Sequence, residues 1–182
     1  MTEPKRTPVR TIAIVAGVVV ALIAVVFSLA LGRHRSENSG IALDRPAPAF
    51  ALPGLDGGMV RLADLRGKAV IVNFWNEWCI PCRDEHPALK AFYERHKNDP
   101  DFAMIGITRD PNSTAAVRSW VRDNAVDWTI AFDPGSRAAI DYGTTGQPET
   151  YAVSPGGVLV GKFLARIDEP QLERMLAAAR AA

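Results

Sequence analysis

The apolar positions of this 182-residue chain fall into two regimes. The first is a continuous run, TIAIVAGVVVALIAVVFSLALG, with no charge in the 22 residues from Thr11 to Gly32. It is apolar on every side and has the ~20-residue length that a helix needs to cross a bilayer. After Gly32 the apolar residues come in short, punctuated groups. KAVIVNFW, Lys68 to Trp75, is a β-branched run typical of a buried central strand. Ile80 to Lys97 switches to helical spacing, with Cys82, Leu89, Phe92, Tyr93 and His96 on one face and Pro87 as an expected kink. Asp101 to Arg109 reads as a second buried strand, and Ser113 to Ala125 as a helix capped by Ser113. A short strand (WTIAFD), a short helix (GSRAAIDYG) and a hairpin about Pro155-Gly156-Gly157 follow. The chain closes with a helix capped by Asp168, with Pro170 in its first turn.

The predicted order is β-α-β-α-β-α-β-β-α, after a loose N-terminal piece with a hairpin. Alternation of this kind implies an α/β domain of parallel strands with helices packed on the faces. The final hairpin adds antiparallel strands, so the expected core is a central mixed sheet.

The uncharged run divides the chain. Residues 1–10 are expected to be a cytoplasmic N-terminus, 11–32 a transmembrane anchor, 33–46 a polar tether and 47–182 one domain. The run exceeds the roughly 7–15 apolar residues of a secretory signal core, although Ser28-Leu29-Ala30 resembles a cleavage site. Lys5, Arg6 and Arg10 before it outnumber Arg33 and Arg35 after it. That bias leans toward a single-pass protein of the cell membrane whose C-terminal domain is extracytoplasmic. Lys+Arg 21 against Asp+Glu 20 shows no basic excess, so a nucleic-acid partner is not expected.

Both cysteines lie in NFWNEWCIPCRDEHP, as Cys79-Ile80-Pro81-Cys82. One bridge closing so small a loop removes little unfolded-state entropy, which argues against a structural staple. A structural zinc site needs about four ligands and only His86 is close, so no metal is expected. Haem attachment needs His directly after the second cysteine, and position 83 is Arg. A Cys-x-x-Cys pair at a strand-to-helix junction reads as a redox dithiol. At the helix N-terminus the dipole favours a thiolate, so Cys79 is expected to be the exposed nucleophile. Cys82, one turn in, is expected to resolve the mixed disulfide.

The segment RPAPAFALPGLDGGMVRLADLRGKAVIVNFWNEWCIPC, together with DYGTTGQPETY, resembles the thioredoxin superfamily. Within it, the match is to the membrane-anchored thioredoxins of the ResA/TlpA/CcmG (DsbE) group. The resemblance implies a thioredoxin-like fold with an N-terminal extension and a central strand-helix insert between Asp101 and Phe132. It implies that Pro148 is a cis-proline docking substrate backbone, with Gln147 before it and Glu149 after it at the substrate-binding loop. Trp78 would flank that surface. Glu85 matches an acid one turn beyond the second cysteine, placed to raise a thiol pKa and to move protons. No cofactor is implied beyond the Cys79–Cys82 dithiol. The implied partners are protein disulfides, notably the haem-binding cysteine pair of apocytochrome c, with electrons from a membrane thiol transporter of the CcdA or DsbD kind. Glu77 departs from the pattern, which usually has a small or neutral residue there.

The expected function is therefore an extracytoplasmic thiol-disulfide oxidoreductase working as a reductant in cytochrome c maturation. A disulfide-forming oxidase on the same scaffold is the second reading. A copper-delivery protein using Cys79 and Cys82 as soft ligands is the third. Such copper proteins usually space their cysteines by three residues and add a distant His. A peroxidase would be expected to carry Thr three residues before its cysteine, and Asn76 is there.

Overall fold

The computed structural model describes residues 13–14, 16–22, 43–109 and 113–182. Two units are distinguished, Met1–Asn38 and Ser39–Ala182. Of the predicted anchor, residues 13–14 and 16–22 are helical and exposed; the rest lies outside the described residues, as do residues 1–10 and most of the tether. Among the described residues no helix is long and apolar enough to cross a membrane.

Among its described residues the second unit holds eight strands: β1 Arg45–Pro46, β2 Ala51–Pro53, β3 Met59–Arg61, β4 Ala69–Trp75, β5 Phe102–Arg109, β6 Thr129–Asp133, β7 Glu149–Val153 and β8 Val158–Leu164. Its helices are α1 Ile80–His96, α2 Thr114–Asp123, α3 Arg137–Asp141 and α4 Glu169–Ala181. The main sheet has the order β1-β8-β7-β4-β5-β6. Strands β4, β5 and β6 are parallel, and β7 and β8 run antiparallel to their neighbours, so the sheet is mixed. Strands β2 and β3 form the N-terminal hairpin, tied to β6 by the Leu55 N–H to the Ile130 carbonyl. Arg45 and Pro46, read as tether, instead pair with β8, so the ordered domain begins slightly earlier than position 47.

Strand β4 is buried throughout because both of its faces are covered. Ala69, Ile71 and Trp75 face a layer formed by Leu89 and Phe92 of α1, Val117 of α2, and Leu172 and Leu176 of α4. Val70, Val72 and Phe74 face Phe50, Leu52, Tyr142 and Tyr151. Alternating side chains of one strand thus build two cores. Helix α1 runs through Pro87 as one helix. Proline has no N–H, so the Arg83 carbonyl loses its usual intrahelical donor. Ser113 and Asp168 cap α2 and α4 as expected, and Asp168 forms a full capping box with Gln171.

Candidate active site

Strand β4 ends at Trp75, and a three-residue turn delivers Cys79 to the N-cap of α1. Cys79 Sγ accepts the Cys82 N–H at 3.2 Å, satisfying one of the open donors of the first turn. The two cysteines are joined as a disulfide with a Cα–Cα distance of 5.3 Å, within the normal range. The expected difference in exposure is small: Cys79 is 5% exposed and Cys82 3%. Their surroundings differ instead. Cys79 Sγ lies 3.8 Å from the Gln147 carbonyl oxygen. Cys82 borders a small cavity with Asn73, Trp75, His86, Leu89, Trp120 and Trp128. Trp78 and Ile80, on either side of Cys79, are exposed and form an apolar rim.

The Gln147–Pro148 peptide bond is cis. Gln147 is half-buried and Pro148 buried, and both precede β7, the strand beside β4. Glu149, expected at the substrate-binding loop, is buried, and its carboxylate is turned to the chain's own groups. One carboxylate oxygen accepts the Thr145 N–H (2.8 Å), the Thr145 hydroxyl (2.9 Å) and the Gly146 N–H (3.0 Å). The other accepts the Tyr151 hydroxyl at 2.6 Å and lies 3.3 Å from Lys162 Nζ. Burial opposes the charge on Glu149, but these hydrogen bonds outweigh it and hold its pKa below the ordinary value. The residue therefore shapes the loop that carries Gln147 and Pro148.

Glu85 is on the buried face of α1, one turn past Cys82. Asn73 Nδ2 donates to its Oε1 at 2.9 Å, and the Ile167 N–H donates to its Oε2 at 3.0 Å. Burial is the dominant influence and pushes its pKa up to about 7, against the lowering effect of those two bonds and of Arg166. Its neighbour His86 packs on Trp120 and Trp128, with Nε2 3.2 Å from the Asn124 carbonyl oxygen. Burial lowers the pKa of His86, favouring the neutral ring. His96 stands apart at the far end of α1, between Asp99 and Glu173.

Glu77 is buried rather than an exposed charge, and its backbone carbonyl accepts Arg83 Nε at 2.6 Å. It belongs to a polar group that sequence spacing did not reveal. Asn76 Nδ2 donates to the Arg109 carbonyl (2.9 Å) and to Gln147 Oε1 (3.3 Å). Among the described residues, buried atoms of Asn76, Glu77, Arg109 and Gln147 meet no protein hydrogen-bond partner. Asn73 and Thr150 were also missed; the signal was a lone polar residue within the apolar run AVIVNFW.

Residues 43–162 match the AhpC/TSA family. The chain belongs to that family. Its cysteine pair sits at disulfide distance in a thioredoxin-like fold, and its relatives in the family are thiol-disulfide oxidoreductases. It is 33% identical to the thiol:disulfide interchange protein DsbE of Pseudomonas fluorescens biotype C, covering 81% of each chain. It is 29% identical to the thiol-disulfide oxidoreductase ResA of Bacillus thuringiensis (strain Al Hakam), over 78% of this chain and 80% of that one. Among solved structures, a putative thiol:disulfide interchange protein DsbE from Chlorobium tepidum superposes with a TM-score of 0.70 at 28% identity, covering 77% of this chain and 99% of that one. This AhpC/TSA member is thus a thiol-disulfide oxidoreductase of the ResA and DsbE type, with Cys79 and Cys82 as its Cys-x-x-Cys pair at disulfide distance.

Proposed function

We propose that this oxidoreductase is a membrane-anchored reductant of protein disulfides outside the cytoplasm. Its target is the oxidised haem-binding cysteine pair of apocytochrome c, and its electrons come from a membrane thiol transporter of the CcdA or DsbD kind. The observation that carries the direction of electron flow is Glu85, a buried carboxyl one turn beyond the resolving cysteine with its pKa raised to about 7. A carboxylate beside a dithiol disfavours the thiolate, and a less stabilised thiolate makes a weaker oxidant and a better electron donor. The uncharged run Thr11 to Gly32 supports the anchor.

In the reaction, the Cys79 thiolate attacks one sulfur of the partner disulfide, and the other partner sulfur leaves as a thiolate. Cys82 loses its proton and attacks Cys79 Sγ; the bond to the partner breaks and its electron pair stays with the partner sulfur. Two electrons pass from the dithiol to the partner, whose two thiolates take their protons from solvent. Glu85 takes the Cys82 proton, Trp78 and Ile80 cover the partner's apolar surface, and the Gln147–Pro148 loop holds its backbone beside Cys79. Thiol trapping in cells tests this reading. A mostly reduced dithiol that turns oxidised when the membrane donor is removed is the expected result; a stably oxidised dithiol would make the protein an oxidase.

A further inference from the structure

Asn73 is the one polar side chain in the seven residues of β4, and it is 1% exposed. A buried amide is costly unless its hydrogen bonds are made, so an apolar residue would be the simpler choice here. Its Nδ2 reaches two acceptors: Glu85 Oε1 on α1 at 2.9 Å and Thr150 Oγ1 on β7 at 3.1 Å. Thr150 is its direct cross-strand partner and lies two residues past Pro148. The same side chain borders the cavity against which Cys82 sits. One amide therefore touches the acid, the strand that carries the substrate loop, and the surroundings of the resolving sulfur. Two bonds from one amide group also fix its orientation, which neither would do alone.

We propose that Asn73 is a positioning residue of the exchange reaction: it holds Glu85 in place behind Cys82 and sets how readily that acid exchanges a proton during the resolving step. The inference rests on the proton role given to Glu85 above. The ionisable groups around Glu85 are few. Cys82 is one turn back on α1, and His86 is next to it in sequence. The turn that supplies the Ile167 N–H carries Arg166 and Asp168, and Arg166 acts on Glu85 electrostatically. From β4 the uncharged Asn73 donates to it, and the same amide donates to the uncharged Thr150 of β7. The Asn73 hydrogen bond favours the carboxylate, opposing burial, so its loss must make Glu85 hold its proton to higher pH.

The test follows the resolving step by stopped flow. Reduced protein is mixed with excess aromatic disulfide: one aromatic thiolate is released as Cys79 attacks, and a second, in a first-order phase, as Cys82 attacks Cys79. In the wild type that phase is expected to accelerate as pH rises through about 7. Asn73→Leu is expected to move the midpoint upward by about one pH unit, the worth of one charge-assisted hydrogen bond. In a Glu85→Gln background the same change is expected to move nothing. No movement in the wild-type background, or equal movement in both, overturns the inference. If Glu85→Gln itself leaves the profile unchanged, the proton role of Glu85 fails and the inference falls with it. Should Asn73→Leu not fold, the wild type still decides. The Asn73 side-chain amide resonances must titrate with the Glu85 carboxyl; resonances that stay flat through pH 7 overturn the proposal.

Discussion

Glu85 sets an electrostatic conflict inside the domain. Its pKa rises from the ordinary 4.5 to about 7 because burial penalises the charge more than its hydrogen bonds favour it. A raised folded-state pKa means that the folded protein binds the proton more tightly than the unfolded chain. The associated stability is present below pH 4.5 and is lost as pH rises through about 7, a loss of about 3 kcal/mol. Glu85→Gln should flatten that slope in denaturant titrations across the same window. Glu149 has the opposite sign. Its pKa is held low, so its contribution is present above 4.5 and lost as pH falls. Glu149→Gln breaks a buried ion pair with Lys162 and weakens the hold on Thr145 and Gly146. A loss of roughly 3 kcal/mol in unfolding free energy is expected, with slower exchange as the Gln147–Pro148 loop loosens. At the dithiol, Cys82→Ser should leave Cys79 trapped in a mixed disulfide with its partner, detectable by non-reducing electrophoresis. Cys79→Ser should form none.

Strand β4 connects these residues, and its neighbour β5 must make room for them. An added Cβ at Gly106 would lie 2.7 Å from Ile130 Cδ1 and 2.8 Å from Trp75 Nε1. Real Cβ atoms do not approach so closely, so Gly106→Ala must displace the indole that borders the Cys82 cavity. A loss of roughly 1–3 kcal/mol in thermal or denaturant unfolding is expected. The elements themselves were legible in the sequence. The apolar run of β4, the helical spacing of α1, the turn at Pro155-Gly156-Gly157 and the cap at Asp168 are strong local signals, and each element stands where they place it. What the hydrophobic period hid was burial of polar side chains. It picked out Cys82, Leu89 and Phe92 on α1, but Glu85 and His86 share the buried side. Only tertiary neighbours explain this: Asn73 and the Ile167 N–H for Glu85, and the Asn124 carbonyl with two tryptophans for His86. Glu149 was misplaced for the same reason, because its partners Tyr151 and Lys162 meet it only when β7 and β8 pair.

In the folded domain, the dithiol sits where parallel β4 and β5 end and the Gln147–Pro148 loop returns before antiparallel β7. The rim there is apolar at Trp78 and Ile80, while Asn73, Glu85 and His86 are buried polar side chains of the interior, Asn73 and His86 lining the Cys82 cavity with three tryptophans. That arrangement suits a protein partner in front and a proton store behind. The fold and the cysteine pair were readable because the motifs of this family are local and dense. The direction of electron flow was not, since it depends on free-energy differences between dithiol and disulfide that no motif spells out. The standard reduction potential of the Cys79–Cys82 couple, measured by equilibration with a thiol of known potential, tests it most directly. A value near the ~−270 mV of thioredoxins agrees with a reductant, and a value near the ~−120 mV of strong disulfide-forming oxidants would contradict it.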